Sequence, residues 1–458
     1  MSEWIDWNAN PHLTGHTRRR LFGVTAAAWI ATGGGLAACG APTGGGQAQP
    51  SKTRAPVTLR SWVATPGSDT YPATEAADAA IKLKYPHITV VHEVRPPGDY
   101  IAAVVAAGAA GSLPDVIYAQ GTQIQGFIIK GLVKPLDTYL ARDKEFDFPR
   151  DFPAVALKLY ERDGKQYAIP YDHGANLLWF NRDLFEKAGV KPPNAGWTMD
   201  DLLDAARRLT KPGEQWGLGT FLPSGGWQVQ SWFKPWGGSL LNEDETEIQI
   251  DSKESIEALE FWVKARLSHR VGPMPQDWAG VQRGLLGLFL QGKTATWNDG
   301  AWAYRSVRAA QPNFVADIAD WPKGPRTRST ASMGSGYPIS KDTQHPDDAW
   351  LYLSEYLGKD LERSLMGQFV KTGLGIPVRF SLMPRWESSQ YAPPSAKIAA
   401  PAMQYAVIGR PISPAKADLD KIFNDAMAPV WEGKTGVADA AREIKRLGQP
   451  LLEQNKKK

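Results

Sequence analysis

Between Val57 and Tyr118 the sequence alternates two kinds of apolar pattern, and this alternation restricts the fold more than any other feature. Val57-Thr58-Leu59-Arg60-Ser61-Trp62-Val63 reads as a strand. A helical stretch follows from about Ala73 to Lys84, with Ala73, Ala76, Ala77, Ala80, Ile81 and Lys84 on one face and Pro86 ending it. Ile88–Val94 alternates like a strand, Tyr100–Ala110 is an alanine-rich helix, and Pro114–Tyr118 is a short apolar strand after a Gly/Ser turn. Strand, helix, strand, helix, strand predicts an α/β fold with helices packed on a parallel sheet. Ligands of such sheets sit beyond the carboxyl ends of the strands. That places Trp62 to Ser68, and Ala119 to Thr122, near the mouth of a site.

The chain has 458 residues, too many for one simple core, so two domains are expected. Lys and Arg number 52 against 48 Asp and Glu, a formal net charge of +4. That excess is too small to argue for nucleic acid, which needs a clustered basic face. The Lys456-Lys457-Lys458 tail reads as a solvated end. In the middle of the chain, Thr198 stands at a helix N-cap with acids in the first turn. Asp251-Ser252-Lys253-Glu254 resembles a capping box before Ile256, Leu259 and Val263, which share one face. Trp216–Leu241, rich in Trp, Gly and Pro, reads as a loop-rich, ligand-facing region. Asn242–Glu247 lacks the alternating oxygen ligands and central Gly of a calcium loop and reads as a solvated hairpin.

The first forty residues read as an address. Arg18, Arg19 and Arg20 precede a weakly apolar stretch, Leu21–Ala38, which contains four Gly and is a poor membrane-spanning helix. A basic n-region, an apolar h-region and small residues at its end fit a signal peptide. Arg19-Arg20-Leu21-Phe22 resembles a twin-arginine export signal. Leu36-Ala37-Ala38-Cys39-Gly40 resembles a bacterial lipoprotein box, which implies cleavage before Cys39 and its lipidation. Cys39 is the single cysteine, so no intrachain disulfide forms. Residues 40–56 read as a flexible tether. The folded part is therefore expected outside the cytoplasm, held by lipid at the periplasmic face or cell surface.

Several enzyme classes leave no trace. The seven His are scattered with no His-Glu-x-x-His, and no Gly-x-Ser-x-Gly elbow occurs. Gly287-Leu288-Phe289-Leu290-Gln291-Gly292-Lys293-Thr294 fits the P-loop string. A phosphate cradle needs a strand before the loop and a helix after it, whereas here a helix end precedes and a strand follows. No cofactor, metal or catalytic residue is expected. An exported glycoside hydrolase is the remote alternative, but carboxylate pairs occur in any protein.

The order of segments resembles the extracellular solute-binding proteins of ABC sugar importers, the maltose-binding-protein-like family. The resemblance runs from Val57 to the C-terminus. It is carried by Lys84–Val90, by Gly111-Ser112-Leu113-Pro114-Asp115-Val116, by Gly131–Asp137, and by Ala168–Asp172 leading to Trp179–Phe185. Phe289–Ala295 before Asp299-Gly300-Ala301-Trp302, Gly334-Ser335-Gly336 and Ile376–Arg379 complete it. It implies two hinge-connected lobes with a ligand cleft between them: residues 57–168 and 331–374 in the N-lobe, 169–330 and 375–458 in the C-lobe. It also implies a monomer that captures a carbohydrate, with an oligosaccharide favoured, and hands it to transporter permease subunits. A non-sugar solute in the same role is the alternative.

A sugar offers apolar C–H faces to aromatic rings and hydroxyls to polar groups. The resemblance places Trp302 as a stacking platform; packing in the core is its other reading. Trp62 ends the first strand and is either cleft wall or core. Asp172, at the first crossover, suits two hydroxyl bonds or a local amide. One of Trp227 and Trp232 is expected to face the cleft. Gly334 and Gly336 let backbone approach the ligand or serve the hinge. Arg379 suits a hydroxyl, a carboxylate or a structural salt bridge; Gln120 and Ser68 stand at strand ends.

Overall fold

The computed structural model describes residues 54–64, 71–219, 229–300, 303–409 and 415–455. The chain divides into two units, Met1–Ala55 and Pro56–Lys458, and only the second is described beyond residues 54 and 55. Arg19, Arg20, Cys39, Ser68, Trp227, Trp302 and the terminal lysines lie outside the described residues.

Strand β1 (Val57–Ala64), helix α1 (Tyr71–Lys84), strand β2 (Ile88–Arg95), helix α2 (Pro97–Ala109) and strand β3 (Val116–Ile117) follow in the predicted order. β1 lies between β2 and β3 and pairs in parallel with both. On α1 the buried row is Ala73, Ala77 and Ile81, with Thr74 beside it, while Ala76 and Lys84 are exposed. The packed stripe is narrower than the predicted face, since only the i, i+4 row is buried, in part against the later helices Pro346–Tyr356 and Leu365–Thr372. Helix α2 begins three residues earlier than its apolar pattern suggests, since Pro97 is favourable at a first helical position. Its Tyr100 hydroxyl donates to the carbonyls of Trp62 (3.1 Å) and Tyr118 (2.8 Å), which ties together the ends of β1 and β3.

Two later segments then run side by side through a pair of small ladders. Ile169–Pro170 and Ser335–Tyr337 pair antiparallel in one sheet with strand β4 (Ala119–Gln120). Gly174–Ala175 and Thr330–Met333 pair antiparallel in another, which Ala406–Ile408 joins in parallel. The ladders break at Asp172–His173, opposite Gly334. A Cβ on Gly334 would stand 2.5 Å from the Cα of His173, so glycine is required for the segments to touch there.

Past the break, Leu177–Asn181 is the central strand of a third sheet, antiparallel to Thr296–Asp299 and Ala316–Ala319. Its side chains alternate between two cores. Leu177 and Trp179 join the core built around β1; Leu178 and Phe180 join a second one with Met199–Leu209, Lys253–Val263, Lys416–Trp431 and Val437–Asn455. A strand buried on both faces reads as a continuous apolar run, as Leu177–Phe180 does. The result is a two-lobe α/β fold.

Local signals behave as chemistry dictates. Thr198 forms a capping box with Asp201. Ser252 caps helix Lys253–Val263 by accepting the Ser255 amide, and no box forms with Glu254. The buried face of that helix is Ser255, Ala258, Leu259 and Trp262, which leaves Ile256 and Val263 at its edge, because the indole of Trp262 has the largest area to bury. Leu241 and Ile248 bridge antiparallel around Asn242–Glu247, closing a hairpin. Helix Gly284–Leu290 precedes strand Thr296–Asp299, the reverse of a phosphate cradle. Among the described residues no helix is long and apolar enough to cross a membrane.

Candidate functional site

Groups from several stretches of chain meet at the ladder break. β4 ends at Gln120, which pairs with Ser335. The Tyr118 hydroxyl lies 2.7 Å from the Ser335 hydroxyl. The Ser335 amide donates to Asp172 Oδ1 at 2.6 Å, and the Gly121 amide donates to the Gly334 carbonyl at 2.9 Å. Tyr118, Gln120, Asp172 and Ser335 therefore converge beyond the carboxyl end of β3. This is where a ligand of a parallel sheet is expected.

Helix Ala303–Ala310 adds a cation. Arg305 is half-buried, and its charge acts on Asp172, Tyr118 and Tyr171. Among the described residues it makes no hydrogen bond or ion pair. Burial pushes the Asp172 carboxyl above the ordinary carboxylate value, opposed first by Arg305 and then by the Ser335 amide. Burial, and after it the Asp172 charge, pushes the Tyr118 hydroxyl up to about 12. Tyr160 and Tyr171 are raised well above their usual value for the same two reasons. These phenols therefore stay neutral. The rings of Tyr118, Tyr171 and Tyr337 pack with centroids 5.3 to 6.4 Å apart, an aromatic cluster whose Tyr171 is next to Asp172 in the chain. The site offers a carboxylate acceptor, a guanidinium donor, hydroxyls and the exposed amide of Gln120. Such a mixed set suits a neutral, many-hydroxyl ligand, since each buried polar group left unpaired costs about 1–3 kcal/mol.

The structure distributes the sequence-predicted residues unevenly. Asp172, Gln120 and Gly334 come together. Gly336 packs on the Ile169 carbonyl, where a Cβ would stand at 2.8 Å, so it serves the contact between the crossing segments. Trp62 is 5% exposed. Its indole N–H donates to Glu93 Oε2 at 2.9 Å, and the Arg95 guanidinium sits 4.2 Å from its ring centroid. Trp62 is thus packed in the core around β1, with one ring face covered by Arg95.

Two expectations are corrected by burial. Trp232 is sealed in the second core, edge-on to Trp262 at 4.6 Å and to Trp321 at 6.0 Å. An indole with several apolar partners is worth more inside than at a solvated surface. Arg379 is 0% exposed. Its Nη1 donates to Asp151 Oδ2 at 2.8 Å and its Nε to the Leu357 carbonyl at 2.8 Å, while Phe146 and Phe152 each lie 4.3 Å from the guanidinium. Of its readings, the structural salt bridge is the one formed. The same pair holds the chain around Arg379 against Phe146 and Asp151, so this stretch packs with residues expected in the N-lobe although the sequence assigned it to the C-lobe.

Arg305, Tyr118 and Ser335 were not singled out from sequence. Ser335 stands between the two glycines that were. Arg305 follows Trp302 by three residues in the sequence, and that spacing was the available signal.

Comparison with known proteins gives a consistent result. The profile of the family described as bacterial extracellular solute-binding protein matches residues 66–361. A putative binding protein of Brucella abortus (strain 2308) is 25% identical over 397 residues, 81% of this chain and 92% of that protein. The maltodextrin-binding protein of Bacillus subtilis (strain 168) is 26% identical over 273 residues, 57% of this chain and 60% of that one. Among solved structures, an ABC substrate-binding protein from Listeria monocytogenes in complex with cycloalternan superposes with a TM-score of 0.73 at 23% identity. The superposition covers 87% of this chain and 99% of the other.

Proposed function

The chain belongs to the bacterial extracellular solute-binding proteins, and we propose that within this family it captures an oligosaccharide at the break between its crossing segments and delivers it to an ABC importer. The observation that carries the reading is the half-buried Asp172, fixed by the Ser335 amide and faced by the charge of Arg305. A ligand with adjacent hydroxyls satisfies both groups, donating to the carboxylate and accepting from the guanidinium. A polyamine would meet Arg305 as a like charge, so the mixed pair speaks for a neutral polyol. The ligands of two similar proteins, maltodextrin and cycloalternan, support the same class. Trp302, three residues before Arg305 in the sequence, is proposed as the stacking platform. Capture is proposed to act by closure of the lobes on the ligand, by a monomer, without catalysis.

The test is the thermal stability of the purified protein against mono- and oligosaccharides, a polyamine and a phosphodiester. A ligand that binds only the native state adds RT ln(1 + [L]/Kd), about 2.7 kcal/mol at about 100 times Kd. A maltooligosaccharide is expected to raise the melting temperature, and Trp302→Ala, Asp172→Asn and Arg305→Gln are each expected to weaken binding by about tenfold or more. No response to any sugar, with a response to the polyamine or phosphodiester, would overturn the carbohydrate assignment and leave the transport role.

We also propose that export runs through Arg19-Arg20 and that lipid on Cys39 holds the protein at the outer face of the cell membrane. Cys39→Ser is expected to move the protein from the membrane fraction to the soluble extracytoplasmic fraction, with sugar affinity unchanged. Retention of the variant in the membrane fraction would count against the anchor.

A further inference from the structure

The crossing segments carry a second group that ligand capture does not use. His173 lies at the ladder break, in contact with Gly334 of the opposite segment. It is 2% exposed, and neither Nδ1 nor Nε2 has a hydrogen-bond partner. Its ring lines a small cavity walled by Pro153, Ile376, Val378, Met383, Ala399 and Met403, all apolar. The titratable groups on the packed elements lie elsewhere. Asp172 is bonded to Ser335, Asp151 and Arg379 are bonded to each other, and Lys397 is exposed. An imidazole in such a place is held neutral, and burial alone drives its pKa down to about 3.

The position matters because of what the break does. One ladder holds Ile169–Pro170 with Ser335–Tyr337, and the other holds Gly174–Ala175 with Thr330–Met333. Rotation of one lobe against the other bends both segments where pairing is interrupted. The cavity walls come from the crossing segment, from the stretch anchored by Arg379 to Asp151, and from residues 399–403. They cannot all keep their places when the break bends.

We propose that the form described here is the ligand-holding one and that His173 makes its hinge sensitive to protons: this form requires a neutral, sealed imidazole, acid favours the rotated form in which water reaches the ring, and ligand capture weakens as pH falls. The proposal rests on the cleft-closure reading above. The sign follows from linkage. In the rotated form the ring regains an ordinary pKa of about 6.5. Above that pH both forms are neutral and the equilibrium is unaffected. Below it the rotated form takes up a proton that the sealed form refuses, so the ratio of sealed to rotated form falls about tenfold per pH unit, down to the sealed form's own low pKa.

Histidine-selective NMR of the ligand-free protein tests this first. The resonance missing in His173→Gln is expected to titrate with a midpoint above about pH 4.5, well above a permanently sealed ring. Absence of titration above that pH in folded protein overturns the proposal. Maltotetraose affinity is the second arm. Below that midpoint, wild type is expected to lose about tenfold per pH unit, and His173→Gln and His173→Leu are expected to stay within about twofold. An unchanged pH profile in both variants overturns the proposal and points to Asp172. Failure of maltotetraose to bind at neutral pH sinks the carbohydrate reading, while the NMR titration still decides the hinge.

Discussion

Arg379→Ala is expected to remove about 3–5 kcal/mol of folding stability while leaving sugar affinity within about twofold of wild type. The guanidinium has no exposed surface and supplies donors to Asp151, the Phe146 carbonyl and the Leu357 carbonyl. Its removal leaves the Asp151 carboxylate buried with Ser381 as its remaining side-chain donor, at 2.7 Å, and opens a gap between Phe146 and Phe152. An uncompensated buried charge is the costly part, more than the lost attraction. Arg379→Met separates the two effects, because it refills the gap between the rings and still strands Asp151. The double variant Arg379→Met with Asp151→Leu is expected to recover much of the loss, since an apolar pair carries no desolvation cost. The denaturant midpoint measures this, with the slope unchanged if the loss is in the native state. A folded Arg379→Ala protein with more than tenfold weaker sugar binding would return Arg379 to the ligand site and refute its placement in the core.

Gly334→Ala is expected to weaken sugar binding at least tenfold and to cost about 2–3 kcal/mol of stability. The added Cβ would stand 2.5 Å from His173 Cα, 2.8 Å from its Cβ and 2.9 Å from its backbone nitrogen. Two of those atoms are main chain, so no rotamer change relieves the overlap and the segments must part. Parting threatens the bonds from Ser335 to Asp172 and from Gly121 to Gly334, and these hold the carboxylate in position. Gly336→Ala serves as the comparison. Its Cβ would meet the Ile169 carbonyl at 2.8 Å and the edge of the Tyr160 ring at 3.1 Å, farther from Asp172, so stability should fall with a smaller effect on binding. Calorimetric titration of both variants decides the matter. Equal binding losses, or none at Gly334→Ala, would show that close approach at the break does not set the geometry of Asp172.

Part of the candidate site was legible in the chain. Asp172, Gln120 and Gly334, which meet at the ladder break, stood out because each lies at a strand end or crossover, where a linear pattern changes character. Arg305 escaped because an arginine on a helix looks the same whether it faces solvent or a carboxylate. Tryptophan misled in a more general way. The 18 Trp argued for a sugar cleft, yet Trp179, Trp232, Trp262, Trp297, Trp321 and Trp386 are sealed in the cores. The indoles of all of these except Trp232 even leave their N–H groups without partners there. Aromatic area is as useful for packing as for stacking on a ligand, so its abundance does not distinguish the two.

By itself the sequence determined what depends on near neighbours. The parallel order around β1 follows from strands joined by helices, the Thr198 cap from a hydroxyl three residues before an acid, and the order of Gly284–Leu290 and Thr296–Asp299 from a change of apolar period. Tertiary structure alone decided pairings with no local signature. Arg379 meets Asp151 across 228 positions, and Ser335 meets Asp172 across 163. Whether an Arg, a Trp or a His is wall, core or hinge depends on which distant surface closes over it. A charge or an indole satisfied by such a partner leaves no mark in its own neighbourhood of the chain.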